Sequence, residues 1–247
     1  MLRKSLHADL LKVKGTSLIP AHILIPVITG GVFLMYYSFS VWDENTKLIA
    51  FYQAIGAGFP VLIGIFAASM AEQEQNAGGF QNLLTLPRKA AAFLSKVSLL
   101  LIFSMFSVLL TAVIFGFGFR GISGSSAAGM GICVRAALIM WCSSIPLYIW
   151  QTILAFQFGK GVSVGAGILS GLVSALMLTG LGERIWKYTF VSWTGRIPYT
   201  CLKLALGGSG AINELEAVIP VYCIFTVGSM IYYLLWASRW EGSRISE

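Results

Sequence analysis

The chain alternates long apolar stretches with short polar intervals. A helix that crosses a hydrocarbon core of about 30 Å needs roughly 20 apolar residues, and six stretches reach that length: 19–39, 48–70, 93–117, 132–156, 162–181 and 217–236. The first carries Pro20 and Pro26, the second Gly56, Gly58, Pro60 and Gly64, and a tight link at 157–161 parts the fourth from the fifth. Ahead of them Leu2, Leu6, Leu10 and Val13 recur at helical spacing, with Arg3, Lys4, His7, Lys12 and Lys14 between them. A segment of that kind lies along a membrane surface with its basic face in water. It lacks the apolar core and small-residue cleavage site of a secretion signal. The pattern predicts an all-α, polytopic membrane protein, with an interfacial helix over 1–16 and one six-helix transmembrane domain over 17–247.

Two intervals are more than plain loops, whereas 120–130 is merely Gly/Ser-rich. The interval 71–92 opens with Glu72 and Glu74, is broken by Gly78 and Gly79, and then repeats Phe80, Leu83, Leu84 and Leu86 at near-helical spacing before Pro87 and Arg88. A short helix with an exposed Phe/Leu face needs a surface to bury it, either lipid or a groove on a separate subunit. The interval 182–216 is the longest polar stretch, yet it holds Ile185, Trp186, Tyr188, Phe190, Val191 and Trp193, and 197–206 is apolar but too short to span. Short apolar segments and aromatic rings suit a membrane face, so one or two re-entrant helices are expected in the outer leaflet. Trp186, Tyr188, Trp193 and Arg196 form a candidate outer patch facing lipid or peptide.

Composition excludes other classes. Of 247 residues 57% are hydrophobic and 11% charged, against about 45–50% and about 25% in soluble domains. That rules out a soluble enzyme and a disordered chain. The net charge of +7 is spread over the polar intervals, so it does not point to nucleic acid. With the N-terminus inside, ten Lys and Arg residues, Arg3, Lys4, Lys12, Lys14 and Arg244 among them, fall on the cytoplasmic side and seven outside. That bias orients the chain, and an even number of spans puts both termini in the cytoplasm. The four cysteines show no C-x-x-C spacing and read as packing thiols. Gly161, Gly165, Gly167 and Gly171 give two overlapping small-x-x-x-small patterns. They read either as a close helix contact, one between subunits included, or as the general glycine enrichment of spans.

Catalytic signatures are missing from the sequence. There is no G-x-x-x-x-G-K-[ST] to cradle phosphates, and Gly207-Gly208-Ser209-Gly210, without a lysine, reads as a loop. His7 and His22 belong to no H-E-x-x-H motif, and a satisfied interfacial group is the expected role. Gln53 and Gln151 are the main polar side chains at depth and are expected to bridge helices, while Arg135 snorkels outward. Mid-membrane carboxylates are wanting, which argues against an ion-driven carrier or a charged-ring channel.

Two patches carry a family likeness. One is Ala8-Asp9-Leu10-Leu11-Lys12-Val13-Lys14-Gly15-Thr16, and the other Glu72-x-Glu74 with Gly79-Phe80-Gln81-Asn82-Leu83-Leu84, then Pro87-Arg88 and Ser95-Lys96. With them the chain resembles the membrane subunits of ABC-2 type exporters, most closely the lantibiotic-immunity permeases of Gram-positive bacteria, which carry Glu where this chain has Asp9. The span layout extends the likeness over the whole chain.

The resemblance implies a permease of the plasma membrane with no cofactor and no catalytic residue of its own. ATP and Mg belong to a separate ATP-binding subunit dimer, and a second, related permease or another copy completes the transporter. Glu72, Glu74, Gly79, Phe80, Leu83, Leu84, Pro87 and Arg88 would couple to the ATP-binding subunit, and Asp9, Lys12 and Lys14 would serve the N-terminal helix. The substrate class is a cationic lantibiotic peptide expelled from the membrane. The basic residues Arg184, Lys187, Arg196 and Lys203 outnumber the acidic ones in the outer interval and would repel such a peptide. Two other classes stay open: a self-contained carrier or channel, which would transport alone, and a docking or sensor protein, which would bind partners without changing peptide tolerance.

Overall fold

Apolar runs of this length become helices because each backbone N–H and C=O needs a partner where water does not reach. The computed structural model describes residues 2–123, 129–208 and 210–242. Outside them lie the middle of the Gly/Ser-rich loop (124–128), Ser209, the tail beyond Gly242 with Arg244, and the side chains of Arg3 and Lys4. The described residues are all-α: α1 (Leu2–Val13), α2 (Leu18–Phe39), α3 (Glu44–Asn76), α4 (Gln81–Leu84), α5 (Lys89–Ser123), α6 (Met130–Ser143), α7 (Ile145–Met177), α8 (Trp193–Ala205) and α9 (Ala211–Arg239). Short 3-10 turns bridge α7 to α8. Asp43 starts α3, its carboxylate accepting from the Thr46 backbone N–H at 3.0 Å and from the Thr46 hydroxyl at 2.6 Å. These bonds hold the Asp43 carboxyl below its ordinary pKa.

Five helices, α2, α3, α5, α7 and α9, are long and apolar enough to cross a membrane. The six separate stretches expected from the sequence are divided differently. The fourth begins as α6, which is 14 residues long, and continues past Ser144 into α7, which also contains the fifth. Inside α7, Gly159 adopts φ 82° and ψ −175°, a conformation open in practice only to glycine, and the chain doubles back there. The amide of Gln151, in the orientation that satisfies every partner, donates to Ser163 O at 3.1 Å and accepts from Gly167 N at 3.2 Å. In a straight helix residues 151 and 167 would lie about 24 Å apart. The arms 145–158 and 160–177 are therefore antiparallel, with the reversal inside the link expected at 157–161 and Gln151 bridging them as expected.

The second arm of α7 packs closely on α3. A Cβ on Gly167 would sit 3.0 Å from Gly64 Cα and 3.1 Å from Pro60 O, and the Ser163 hydroxyl donates to Gly64 O at 3.0 Å. Gly171 also meets α3, whereas Gly161 and Gly165 have nothing within 4 Å. One of the two glycine patterns thus makes a helix contact within the chain.

Prolines inside a helix free the carbonyl four residues back, and in a membrane that group needs another donor. Two are supplied by hydroxyls from other helices, Ser107 donating to His22 O (2.8 Å) below Pro26 and Thr194 to Gly56 O (2.9 Å) below Pro60. In the last turn of α6, ahead of Pro146 in the first turn of α7, Cys142 O accepts from the Tyr222 hydroxyl at 2.6 Å. These bonds tie α2 to α5, α3 to α8 and α6 to α9 at fixed heights.

The main core runs chiefly through α3, α5, α6 and the first arm of α7, while α2 and α9 are the least buried of the five long helices. His22 is buried against Phe66, ring centroids 4.0 Å apart, and its Nδ1 lies 2.7 Å from Leu18 O. All four cysteines are free thiols.

Candidate functional site

Leu6, Asp9 and Val13 recur at intervals of three and four residues, which puts them on one face of α1, and that face lies on α5. The same end of the bundle receives the last turns of α3 and the first turns of α5. Lys96 of α5 donates to Asp9 Oδ1 at 2.9 Å and to Glu74 Oε1 at 2.6 Å. Ser95 donates to Asp9 Oδ2 at 2.6 Å, and Lys12 reaches Glu74 Oε1 and Oε2 at 2.8 and 3.1 Å. Every carboxylate oxygen of Asp9 and Glu74 is thereby satisfied, and the two acids balance the two lysines.

Asp9, Glu74, Ser95 and Lys96 are buried, and only Lys12, its side chain 34% exposed, reaches solvent. Buried charges persist when paired and fully hydrogen-bonded, and this group meets both conditions. The knot clamps α1 to the ends of the two long helices that flank the 71–92 interval. Glu72, by contrast, pairs with Lys160 at 2.9 Å in the open, a contact worth about 0–1 kcal/mol, and Lys14 is exposed.

The interval itself corrects an expectation. Phe80, Leu83 and Leu84 do not form an exposed apolar face: Phe80 and Leu83 are buried and Leu84 is half-buried. α4 has only four residues, too few to present two faces. Phe80 takes the left-handed conformation, φ 65°, which places its ring against Phe156 and Trp240. That packing offsets a conformational cost of about 1–2 kcal/mol. What the interval exposes is polar: Gln75 to Gly79, Gln81, Asn82, Thr85 and, beyond Leu86, Pro87 and Arg88. A cleft of about 300 Å³ beside the ionic knot is lined by Ser5, Lys12, Asn82 and Leu86.

At the far end of the bundle the candidate outer patch is largely internal. Trp186 and Trp193 are each 1% exposed and Arg196 5%; only Tyr188 is open, at 75%. Arg196 caps the end of α7, its Nε donating to Met177 O and its Nη2 to Thr179 O at 3.0 Å. Trp186 and Tyr199 lie under its guanidinium at 5.8 and 5.9 Å. A cation there complements the helix dipole, and burial pulls its pKa below the ordinary value. Arg196 is thus a structural cap with no free face for a ligand.

Sequence reasoning assigned Asp9, Lys12 and Glu74 to separate patches, and the structure joins them. Lys96 and Ser95 complete the site; the sequence signal for Lys96 is an ionisable group at the fourth position of an apolar stretch. Among the described residues no three His, Cys, Asp or Glu side chains gather to hold a metal.

A family model described as ABC-2 family transporter protein matches residues 5–179. The matched span is more than half of the chain and contains the whole knot. The chain belongs to the ABC-2 transporter family. An ABC-2 member is the membrane-spanning permease subunit of an ABC exporter, and the apolar helices fit that role. Residues 180–242, with α8 and α9, lie beyond the match. No curated protein matches the chain, and no solved structure does.

Proposed function

We propose that this ABC-2 permease is driven by a separate ATP-binding subunit dimer that engages the polar rim of the 71–92 interval together with α1, and that it expels cationic lantibiotic-type peptides from the plasma membrane of a Gram-positive bacterium. A second permease, related or identical, completes the transporter. Both arms of α7 cross the bilayer, the first prolonged by α6, so the chain passes six times and both termini are cytoplasmic, with α1 lying at the interface.

The observation that carries this reading is the ionic knot. A push on α1 or on the rim reaches α3 and α5 without slack, because Asp9, Glu74 and Lys96 are locked by short buried bonds. ATP-driven closure of the partner then moves the helices as rigid bodies. The cleft beside Lys12 and Asn82 receives a partner side chain. An amphipathic peptide already lies in the outer leaflet and enters sideways past apolar helix faces. The outer interval keeps its basic excess, four cations against three acids, but Arg196 is held inside by the carbonyls of Met177 and Thr179 and does not meet the peptide directly.

Cysteine cross-linking tests the docking surface. Gln81→Cys and Thr85→Cys are expected to cross-link to the co-expressed ATP-binding subunit; an intact complex with neither cross-link overturns the docking. Deleting the permease is expected to lower tolerance to a lantibiotic, and unchanged tolerance overturns the peptide assignment.

A further inference from the structure

At the same membrane face as the ionic knot, the end of α9 and the first arm of α7 enclose an open groove of about 560 Å³, within the size range of small-ligand sites. Its lining leaves two donors unspent, Arg239 and the Trp240 indole. Arg239 is exposed and makes no hydrogen bond or ion pair among the described residues. Trp240 forms another wall. It is 2% exposed, and its indole N–H, which can only donate, is shielded from water without an acceptor. Trp236 donates to Gln157 Oε1 at 3.1 Å, and behind the groove Lys89 donates to Trp240 O at 2.9 Å. Glu241 is the acidic member of the lining. The groove continues onto Tyr232 and Leu235, 49% and 54% exposed, which belong to the lipid-facing side of α9.

We infer that this groove binds the phosphate headgroup of an anionic phospholipid. Arg239 and the unpartnered Trp240 N–H offer a phosphate two donors, and the exposed Tyr232 and Leu235 side of the groove suits acyl chains. Anionic lipids supply both at that depth, where basic pockets between helices hold such headgroups. The C-terminal pole of α9 and Glu241 oppose an anion, so occupancy hinges on the full charge of Arg239 and on the indole donor beside it. The inference needs only the membrane placement of the chain, and its failure leaves the ATP-binding partner untouched.

The test is lipid binding to the purified full-length chain by native mass spectrometry. The probes are dioleoylphosphatidylglycerol, dioleoylphosphatidylcholine and inorganic phosphate. One phosphatidylglycerol per chain is expected, held about tenfold more tightly than phosphatidylcholine, and Arg239→Gln is expected to weaken it by about tenfold, the scale of one charge-assisted contact. Trp240→Phe should weaken it in the same direction. Arg120→Gln removes an equal charge from the exposed far end of α5 and should leave it unchanged. Equal retention of the two lipids, or full retention by Arg239→Gln, overturns the site. Displacement of the lipid by inorganic phosphate overturns the lipid as its source. Loss of the lipid when an ATP-binding subunit joins would make the groove a protein-docking face and overturn the inference as well.

Discussion

Replacing Lys96 by methionine keeps the length of the side chain and removes its charge, which isolates what the knot contributes. Lys96 is 1% exposed and bridges Asp9 and Glu74. Without it Glu74 keeps Lys12, whereas Asp9 keeps only the Ser95 hydroxyl, a buried carboxylate with no cation. Removing one partner of a buried pair costs about 3–5 kcal/mol. Lys12→Met is a milder perturbation, because that side chain is 34% exposed and Glu74 keeps Lys96; a loss of about 1 kcal/mol or less is expected. Thermal unfolding in detergent, followed by tryptophan fluorescence, reads the difference. At roughly 2–4 °C per kcal/mol for a chain of this size, Lys96→Met lowers the midpoint by about 6–20 °C. The triple change Asp9→Asn, Glu74→Gln, Lys96→Met removes all three buried charges together and should recover much of the loss. Equal midpoints for Lys96→Met and Lys12→Met, or a Lys96 effect that high salt abolishes, would refute the burial argument, since buried pairs are screened far less than exposed ones.

Glycine packing predicts a contrast on one helix arm. Gly167→Ala drives a Cβ into Gly64 Cα at 3.0 Å and should cost about 1–3 kcal/mol, while Gly165→Ala meets open space and should gain up to about 1 kcal/mol from helix propensity; the same unfolding assay ranks them, and equal loss at both would contradict the contact. Thr194→Val strips the Gly56 carbonyl of its donor and should cost about 1 kcal/mol, the scale of hydrogen bonds between membrane helices. The depressed pKa of Asp43 means its cap on α3 is complete above the unfolded-state value of about 3.9 and is lost as pH falls through the lower folded value. Hydrogen exchange of the first-turn amides of α3 should therefore show extra opening near pH 3 that Asp43→Asn, which does not titrate, lacks.

Much of the helical layout is legible in the sequence because length and hydropathy alone decide it. The link at 157–161 is a case in point: it holds two glycines, and Gly159 is the one that turns the chain. Other features depend on which surfaces meet. Amphipathic spacing made Phe80 an exposed anchor, but one left-handed residue ahead of a four-residue helix sends the ring into the protein. Tryptophan at a membrane edge suggests a lipid-facing belt, yet Trp186 is buried under the Arg196 guanidinium and Trp193 against Tyr222 and Phe225 of α9. Charge position told only half of the story for Asp9, Glu74 and Lys96. Each was visible on its own, whereas their meeting joins Lys96 to Asp9 across 87 positions and to Glu74 across 22 and follows only from how α1, α3 and α5 pack. Sequence places charges on elements; packing decides which charges share a site.

Transport by the purified chain in proteoliposomes, with and without an ATP-binding subunit, probes the driving force most directly. ATP-dependent clearance of a lantibiotic from the vesicle membrane is expected only when both proteins are present, with Lys96→Met uncoupling hydrolysis from clearance. Clearance or ATP hydrolysis by the chain alone would contradict a permease worked through its cytoplasmic knot.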